Sequence, residues 1–448
     1  MNRCIAATPP RRTPASPANP CIVVDTHNDT MMRVVDPATW LPQVDIGTNT
    51  PFHVDIPKMR RGGLNVPFFA AYSQGYPSHH RNLSRTLALL YALHWTVKAN
   101  GSSMAVAKSV QDIERLAALG IIAAVPAVEG AYCIRPQDGH EILRQLHDLG
   151  VRALSLTWNH SNSLGEGVSR TYPEGTPSDG GLTGFGREVI EEVNRLGIIL
   201  DVSHLSKATF WGALEASRAP VIASHTGISA VRRHDRNLDD DQIRALARAG
   251  GAVQVAFARN FLWEPARLAT VASIVHHIDH VVRLVGVDHT GIGSDFDGTD
   301  VPEDLADASG LPRIAQELTR RGYGRSDIER ILGGNTMRIL REVEAVAEPS
   351  KNLAPFFTQC PEMGHVTDQD VPVLSARVDE RIGELHAPSY RVILDGRVLE
   401  STCDEGGILS ARAGMPLTRG QDGFHVLTFE AAISTGEVAR ETRIIYAR

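Results

Sequence analysis

A few polar residues, each closing a run of apolar ones, could carry chemistry in this 448-residue chain. The run CIVVDTH (21–27) ends in His27, with Asp25 and Asp29 beside it, and IIAAVPAVEG (121–130) presents Glu129. IILDVSH (198–204) ends in His204, PVIASH (220–225) in His225, and TGIGSDFDG (290–298) carries Asp295 and Asp297. Three imidazoles and several carboxylates, with no thiolate among them, form a donor set suited to zinc, manganese or iron. A single catalytic zinc takes about three protein ligands. Here at least five stand ready: His27, Asp29, Glu129, His204 and His225. The surplus predicts two ions, with a carboxylate such as Glu129 between them. Two ions ~3.5–4 Å apart would share a hydroxide and polarise a carbonyl.

Each of these residues has a bland explanation when taken alone. A carboxylate after a strand caps a helix or sits in a loop salt bridge, and a histidine in an apolar run is a hydrogen-bonded core group. Their common position at strand ends favours a shared site. Other histidines lack that setting. His276, His277 and His280 fall on a predicted outer helix, without the glutamate of an HExxH motif. His79, His80 and His140 read as solvated loop or helix positions. Cys133 reads as a buried or loop thiol, and no GxSxG elbow occurs.

The elements that must position the donors are legible from the apolar runs. With NVPFFAAYS (65–73), VRALSLTW (151–158) and GAVQVAFA (251–258) there are eight, nearly continuously apolar, as parallel strands covered on both faces are. Amphipathic segments separate them. Ser109 and Asp112 open one as a capping box, and Gly197 closes another. Eight β–α alternations predict an α/β fold, a (β/α)8 barrel over 21–346, whose active residues belong at the C-terminal ends of the strands. A doubly wound open sheet is the alternative, but no GxGxxG follows the first strand. Residues 1–20 read as a disordered, Pro-rich tail without the apolar stretch of a signal peptide. Pro349, Pro355 and Pro361 mark a linker over 347–367. Beyond it, YRVILDGRVLES (390–401), HVLTFEAAI (425–433) and TRIIYA (442–447) predict a small antiparallel β-sandwich over 368–448, with Asp395 and Gly396 as a hairpin turn.

Composition narrows the function classes. With 45 Lys+Arg against 52 Asp+Glu, the net charge is −7, and no basic run of five occurs, so a nucleic-acid surface is excluded. No apolar stretch approaches the ~20 residues of a membrane span. Five scattered cysteines without CxxC spacing point to reduced thiols and a cytoplasmic setting.

At these residues the sequence resembles the membrane (renal) dipeptidase family of binuclear zinc peptidases. The matching stretches are VVDTHND (23–29), PAVEG (126–130), LDVSHLS (200–206), RAPVIASHTG (218–227), DRNLDDDQI (235–243), GIGSDFDG (291–298) and GGNTMRIL (333–340). The resemblance implies two zinc ions, one on His27 and Asp29, the other on His204 and His225, with Glu129 bridging. It implies that Asp295 is the acid/base beside the bridging water and that Arg236 pairs with the substrate's C-terminal carboxylate, a match for a guanidinium fork. Many relatives carry a histidine where this chain has Trp158, so His160, two residues on, is the candidate for the oxyanion contact. The implied reaction is dipeptide hydrolysis, with a D residue tolerated at the C-terminal position and Glu166 a candidate for the free amine. Dimerisation is implied as well. The alternatives are another metal-dependent amide or lactam hydrolase on the same barrel, or a metal-binding protein without turnover.

Overall fold

The computed structural model describes residues 22–348, 357–378, 389–432 and 438–448. The Pro-rich tail, with Pro349 and Pro355 of the predicted linker, lies outside them. Eight parallel strands pair in chain order: β1 (Val23–Asn28), β2 (Leu64–Tyr72), β3 (Ile122–Glu129), β4 (Ala153–Ser155), β5 (Ile199–Asp201), β6 (Ile222–Thr226), β7 (Ala252–Val255) and β8 (Thr290–Ile292). A short extra strand, Met104–Val106, pairs with β3 off this path. The circle closes just past β8. There Asn28 bridges Phe296, Asp29 N donates to Phe296 O at 2.8 Å, and Asp295 N donates to His27 O at 3.0 Å. The barrel is thus sealed by the backbone that carries three of the candidate donors.

Every residue of β3 is buried, because a parallel strand has the interior on one face and helices on the other. Flanking helices include α1 (His79–Ala99), α2 (Val110–Ala118), α3 (Gly139–Asp148), α4 (Gly184–Leu196), α5 (Asp240–Arg248), α6 (Val271–Val285) and α7 (Asn335–Val346). Ser109 caps α2 by accepting from Asp112 N at 3.0 Å, and Gly197 ends α4 in the left-handed region, φ 72°. Met337 and Leu340 of α7 pack with Val24, Phe68 and Ile222 in one buried cluster. Apolar groups therefore fill the barrel near the strand starts, leaving the opposite end for polar ones.

The C-terminal part forms two sheets around a shared core of Leu374, Val392, Leu409, Leu427, Phe429 and Ile445. One holds β9 (Phe357–Thr358), β11 (Val373–Val378), β14 (Ser401–Cys403) and β15 (Ile408–Arg412). The other holds β10 (His365–Thr367), β12 (Ser389–Leu394), β13 (Arg397–Leu399), β16 (Phe424–Ala432) and β17 (Val438–Ala447). Both β9 and β10 lie within the segment read as a linker, and they pair with β11 and β17. Strands of two and three residues are too short to show alternation, so the prolines dominated that reading. Asp395 (φ 49°) and Gly396 (φ 76°) form the two-residue turn between β12 and β13, both in the left-handed region as a type I′ turn requires.

The sandwich docks on α1 and α3. Phe424, Val426, Ile444 and Tyr446 belong to the barrel's own apolar cluster. Gln145 of α3 donates to Thr428 Oγ1 at 3.0 Å and accepts from Gly396 N at 2.9 Å. Arg440, 12% exposed, reaches Glu141 and Asp148 of α3 at 2.5 and 2.7 Å and also meets Glu430. No helix among the described residues is long and apolar enough to cross a membrane.

Candidate metal centre

The candidate donors converge at the C-terminal ends of the strands. His27 is the penultimate residue of β1 and Asp29 follows the strand; Glu129 ends β3; His225 lies within β6. His204 stands three residues past β5 at φ 67°, and Asp295 three past β8 at φ 61°. Both are in the left-handed region, which is strained for a residue with a Cβ. Each is held there by hydrogen bonds. Val168 N donates to His204 O at 2.8 Å, and Asp295 N is fixed by His27 O. His27, Asp29, Glu129, His204 and His225 are all buried.

The protonation pattern identifies what the cluster is for. His225 Nδ1 meets Ser224 Oγ at 2.8 Å, and Ser224 Oγ donates to Asp201 Oδ2 at 2.5 Å. That relay puts the His225 proton on Nδ1. His204 Nδ1 lies 2.8 Å from Asn159 Oδ1, an acceptor, so its proton is on Nδ1 too. The two Nε2 lone pairs then face each other at 2.8 Å, with Glu129 Oε1 at 2.9 and 3.4 Å. Lone pairs pressed together beside a carboxylate repel unless a cation lies between them. On the other side, His27 Nε2 and Asp29 Oδ1 are buried without a hydrogen-bond partner. His27 Nε2 stands 3.6 Å from Asp29 Oδ2 and 3.5 Å from Glu129 Oε2. His27, Asp29 and Asp295 form a second donor group beside His27, Glu129 and His225. The donor set thus fits a divalent cation; His27 is common to both groups, and Glu129 turns Oε2 toward His27 and Oε1 toward His204 and His225.

Electrostatics sort the carboxylates. Burial alone would raise Glu129, but the charge of His27 beside it holds it well below its ordinary range. Asp295 goes well above its range, through burial and the nearby charges of Asp29 and Glu129. Burial, with Arg236 nearby, pushes His204 down to about 3, so its imidazole is neutral and free to ligate. Asp25 braces the seam instead, accepting from Ser294 N and Ser294 Oγ at 2.7 and 2.6 Å. Asp297 accepts from His53 N and Thr30 Oγ1 at 2.8 and 2.7 Å and positions the loop.

Arg236 is a buried cation without a carboxylate partner among the described residues. It donates to His225 O at 3.3 Å, lies over the Phe261 ring at 5.4 Å, and leaves Nε unpaired. Asp239, a candidate for a salt bridge to it, is taken by Lys207 at 2.5 Å. A cavity of about 630 Å³ adjoins His204 and Arg236. Trp158 packs against His204 and Tyr72, with ring centroids 5.9 and 5.3 Å apart. His160 is placed further out, 6.1 Å from the Trp158 ring and 3.4 Å from Ser169 Oγ, and no hydrogen bond joins it to the cluster. Glu166 is buried and accepts from Ser178 Oγ at 2.6 Å.

The remaining histidines have other work. His277 is fully buried, bonded to Ile228 N at 2.9 Å and Leu262 O at 3.0 Å; His280 pairs with Asp240 at 2.8 Å. His80, read as solvated, is half-buried against the sandwich, its ring 4.9 Å from His425. His80, Asp395 and His425 cluster like metal ligands. Yet both His425 nitrogens face acceptors, Asp395 Oδ2 at 2.6 Å and Thr418 O at 3.0 Å, so no lone pair is left for a metal. This group is an ion pair. Cys133 is buried, which pushes its thiol up to about 12 and leaves it inert. The supports Asn159, Asp201 and Ser224 carried no signal in sequence, because they touch the donors only through the fold.

A parallel barrel with a two-lobed imidazole–carboxylate cluster at its C-terminal end defines a metallohydrolase. The family model for membrane dipeptidase, peptidase family M19, matches residues 18–353, and the chain belongs to that family. It is 29% identical to dipeptidase 3 of Rattus norvegicus over 373 residues, 83% of this chain and 75% of that one. It is 33% identical to an uncharacterized dipeptidase of Schizosaccharomyces pombe over 350 residues, 74% and 83% of the two chains. A metallopeptidase of Rhodobacter sphaeroides, solved with a phosphinate mimic of L-Ala-D-Ala, superposes with a TM-score of 0.63 at 28% identity, covering 72% of this chain and 99% of that one. The chain is thus a dipeptidase-like, metal-dependent hydrolase with a small peptide substrate.

Proposed function

We propose that this chain hydrolyses dipeptides with free amino and carboxyl ends, using two zinc ions and accepting a D residue at the C-terminal position. The facing lone pairs of His204 and His225 carry the reading, with Glu129 joining them to the unpartnered His27 and Asp29. Ions held by these residues would supply an acidified water and a polarised carbonyl. Arg236 takes the substrate's terminal carboxylate on its unpaired edge. Asp295 accepts the proton of the attacking water and returns it to the leaving amine, a role suited to the carboxylate that burial pushes well above its range. Glu166 or the centre itself takes the free amine, and holding both ends limits the substrate to two residues. His160 would have to leave Ser169 to assist the oxyanion. The L-Ala-D-Ala mimic bound by the Rhodobacter relative supports D tolerance. The free thiols of Cys133, Cys360 and Cys403 support a cytoplasmic setting, and the family resemblance supports a homodimer.

Trp158 favours a second reading, hydrolysis of another amide or a lactam, because its indole packs on His204 at a position where the family resemblance implies a histidine. Metal content and turnover on one purified sample decide between them, with L-L, L-D and N-acetylated dipeptides and a β-lactam as substrates. About two zinc per chain with cleavage of free dipeptides alone supports the proposal. Two zinc with cleavage of only acylated or lactam substrates replaces it with the second reading. Bound metal with no amide hydrolysis leaves a metal-binding protein.

A further inference from the structure

The cavity beside His204 and Arg236 is cationic in a chain whose net charge is −7. Besides Arg236, its lining includes Arg170, Lys207 and Arg233, against Asp235 and Asp239. Lys207 and Asp239 neutralise each other. Arg170 and Arg233 have no carboxylate within 4 Å among the described residues, whereas the neighbouring Arg232 is paired with Glu264. Two guanidinium groups are thus left over on the wall of the site, against the single unpaired carboxylate of Asp235.

Their backbones are anchored to the centre. Arg170 follows the segment whose Val168 N donates to His204 O, and its own N donates to Gly167 O at 2.9 Å. Arg233 sits three residues before Arg236, on a loop pinned where Ile228 bridges Leu238 and Asn237 Nδ2 donates to Arg232 O at 2.8 Å. At about 630 Å³ the cavity has the size of a small-ligand site. If Arg236 holds the α-carboxylate, the C-terminal side chain leaves the neighbouring carbon into this same cavity. A second carboxylate one or two methylenes away would meet Arg170 and Arg233, and a guanidinium binds a carboxylate in a fork.

We infer that this enzyme prefers dipeptides whose C-terminal residue is acidic, aspartate or glutamate, with Arg170 and Arg233 as its specificity determinants. This inference rests on the dipeptidase reading and names its substrate class. Both arginines are exposed, so the effect is moderate and shrinks with salt. The test compares Ala-Asp with its isostere Ala-Asn, in L and D forms, on the metal-loaded full chain. The expected kcat/KM ratio is about tenfold in favour of the acid, through KM with kcat unchanged, as uniform binding requires. In the Arg170→Gln/Arg233→Gln double variant the ratio should fall to about one, and Arg→Lys at both positions should restore part of it. Equal cleavage of Ala-Asp and Ala-Asn by the unmodified chain would overturn the preference and leave the dipeptidase reading standing. Cleavage of neither would overturn both. A ratio that survives the double variant would remove these two arginines from the role.

Discussion

Gly298 stands where the centre is least forgiving. A Cβ built there would lie 2.1 Å from Asp29 Oδ2 and 2.5 Å from Asp295 Oδ1. Ordinary contact begins at 3.4 Å, so in Gly298→Ala the Asp29 oxygen must retreat by about 1.3 Å and the Asp295 oxygen by about 0.9 Å. The backbone itself is not at issue, since Gly298 is absent from the positive-φ positions. The whole effect therefore falls on a proposed metal ligand and the proposed proton carrier. A misplacement of about 1 Å at reacting groups costs on the order of 10²-fold, about 2.7 kcal/mol of transition-state stabilisation. We expect kcat/KM to drop by about two orders of magnitude, metal affinity to weaken, and the metal-free melting temperature to stay near that of the unmodified chain. Metal content after dialysis, dipeptide turnover and a thermal melt measure the three. Gly184→Ala, where a Cβ meets nothing within 4 Å, is the control. Full turnover and full metal content in Gly298→Ala would refute the placement of Asp29 and Asp295 at the reacting centre.

Arg440→Ala strands Glu141, Asp148 and Glu430 at the junction, and losing one partner of a buried ionic group costs about 3–5 kcal/mol, read by denaturant unfolding; a loss below about 1 kcal/mol would count against it. Asp201→Asn should reverse the relay through Ser224, move the His225 proton to Nε2 and weaken metal binding about 10–100-fold with little change in the melt; unchanged affinity would remove the relay from the argument. At the junction, burial would lower His425, but Asp395 overcomes it and holds it above its ordinary value, while the charge of His425 holds Asp395 below its own against burial. The raised histidine gives stability that is complete below about pH 6.5 and is lost as pH climbs through its folded pKa; the lowered aspartate gives stability that is lost only in acid. His80 faces this pair from α1, and the Asp422 carboxylate is engaged by Arg81, so the melting temperature should fall from about pH 6 to pH 8.5, and fall less in His425→Asn; equal slopes would exclude His425 as the titrating group.

The barrel was legible because parallel strands announce themselves. β3 is buried at every position and reads as an unbroken apolar run. The donors were legible for a related reason, since His27, Glu129 and His225 interrupt or end such runs. What stayed hidden depends on through-space contact. Asn159, Asp201 and Ser224 look like any loop or strand polar residue until the fold sets them against a ring nitrogen. His80 looks solvated on its helix, because the sandwich that covers it arrives more than three hundred residues later. The strands β9 and β10 were missed because two or three residues show no period.

The two buried ionic assemblies of this chain are built on opposite principles. At the junction, Arg440 meets three acids and His425 meets one, so each cation has its counter-charge inside the protein. Such groups specify one docking geometry, because any other would leave a charge buried and alone. At the barrel mouth the protein does the reverse. It orients His204 and His225 through their far nitrogens, points both lone pairs at one place, and leaves His27 Nε2 and Asp29 Oδ1 without partners. The supporting bonds prevent either ring from turning to relieve the repulsion. A fold that wanted only stability would have filled that place with a hydrogen-bond donor, as it did for His277. The unsatisfied arrangement is therefore a function of the site, and a cation is the species whose arrival would convert its repulsions into bonds.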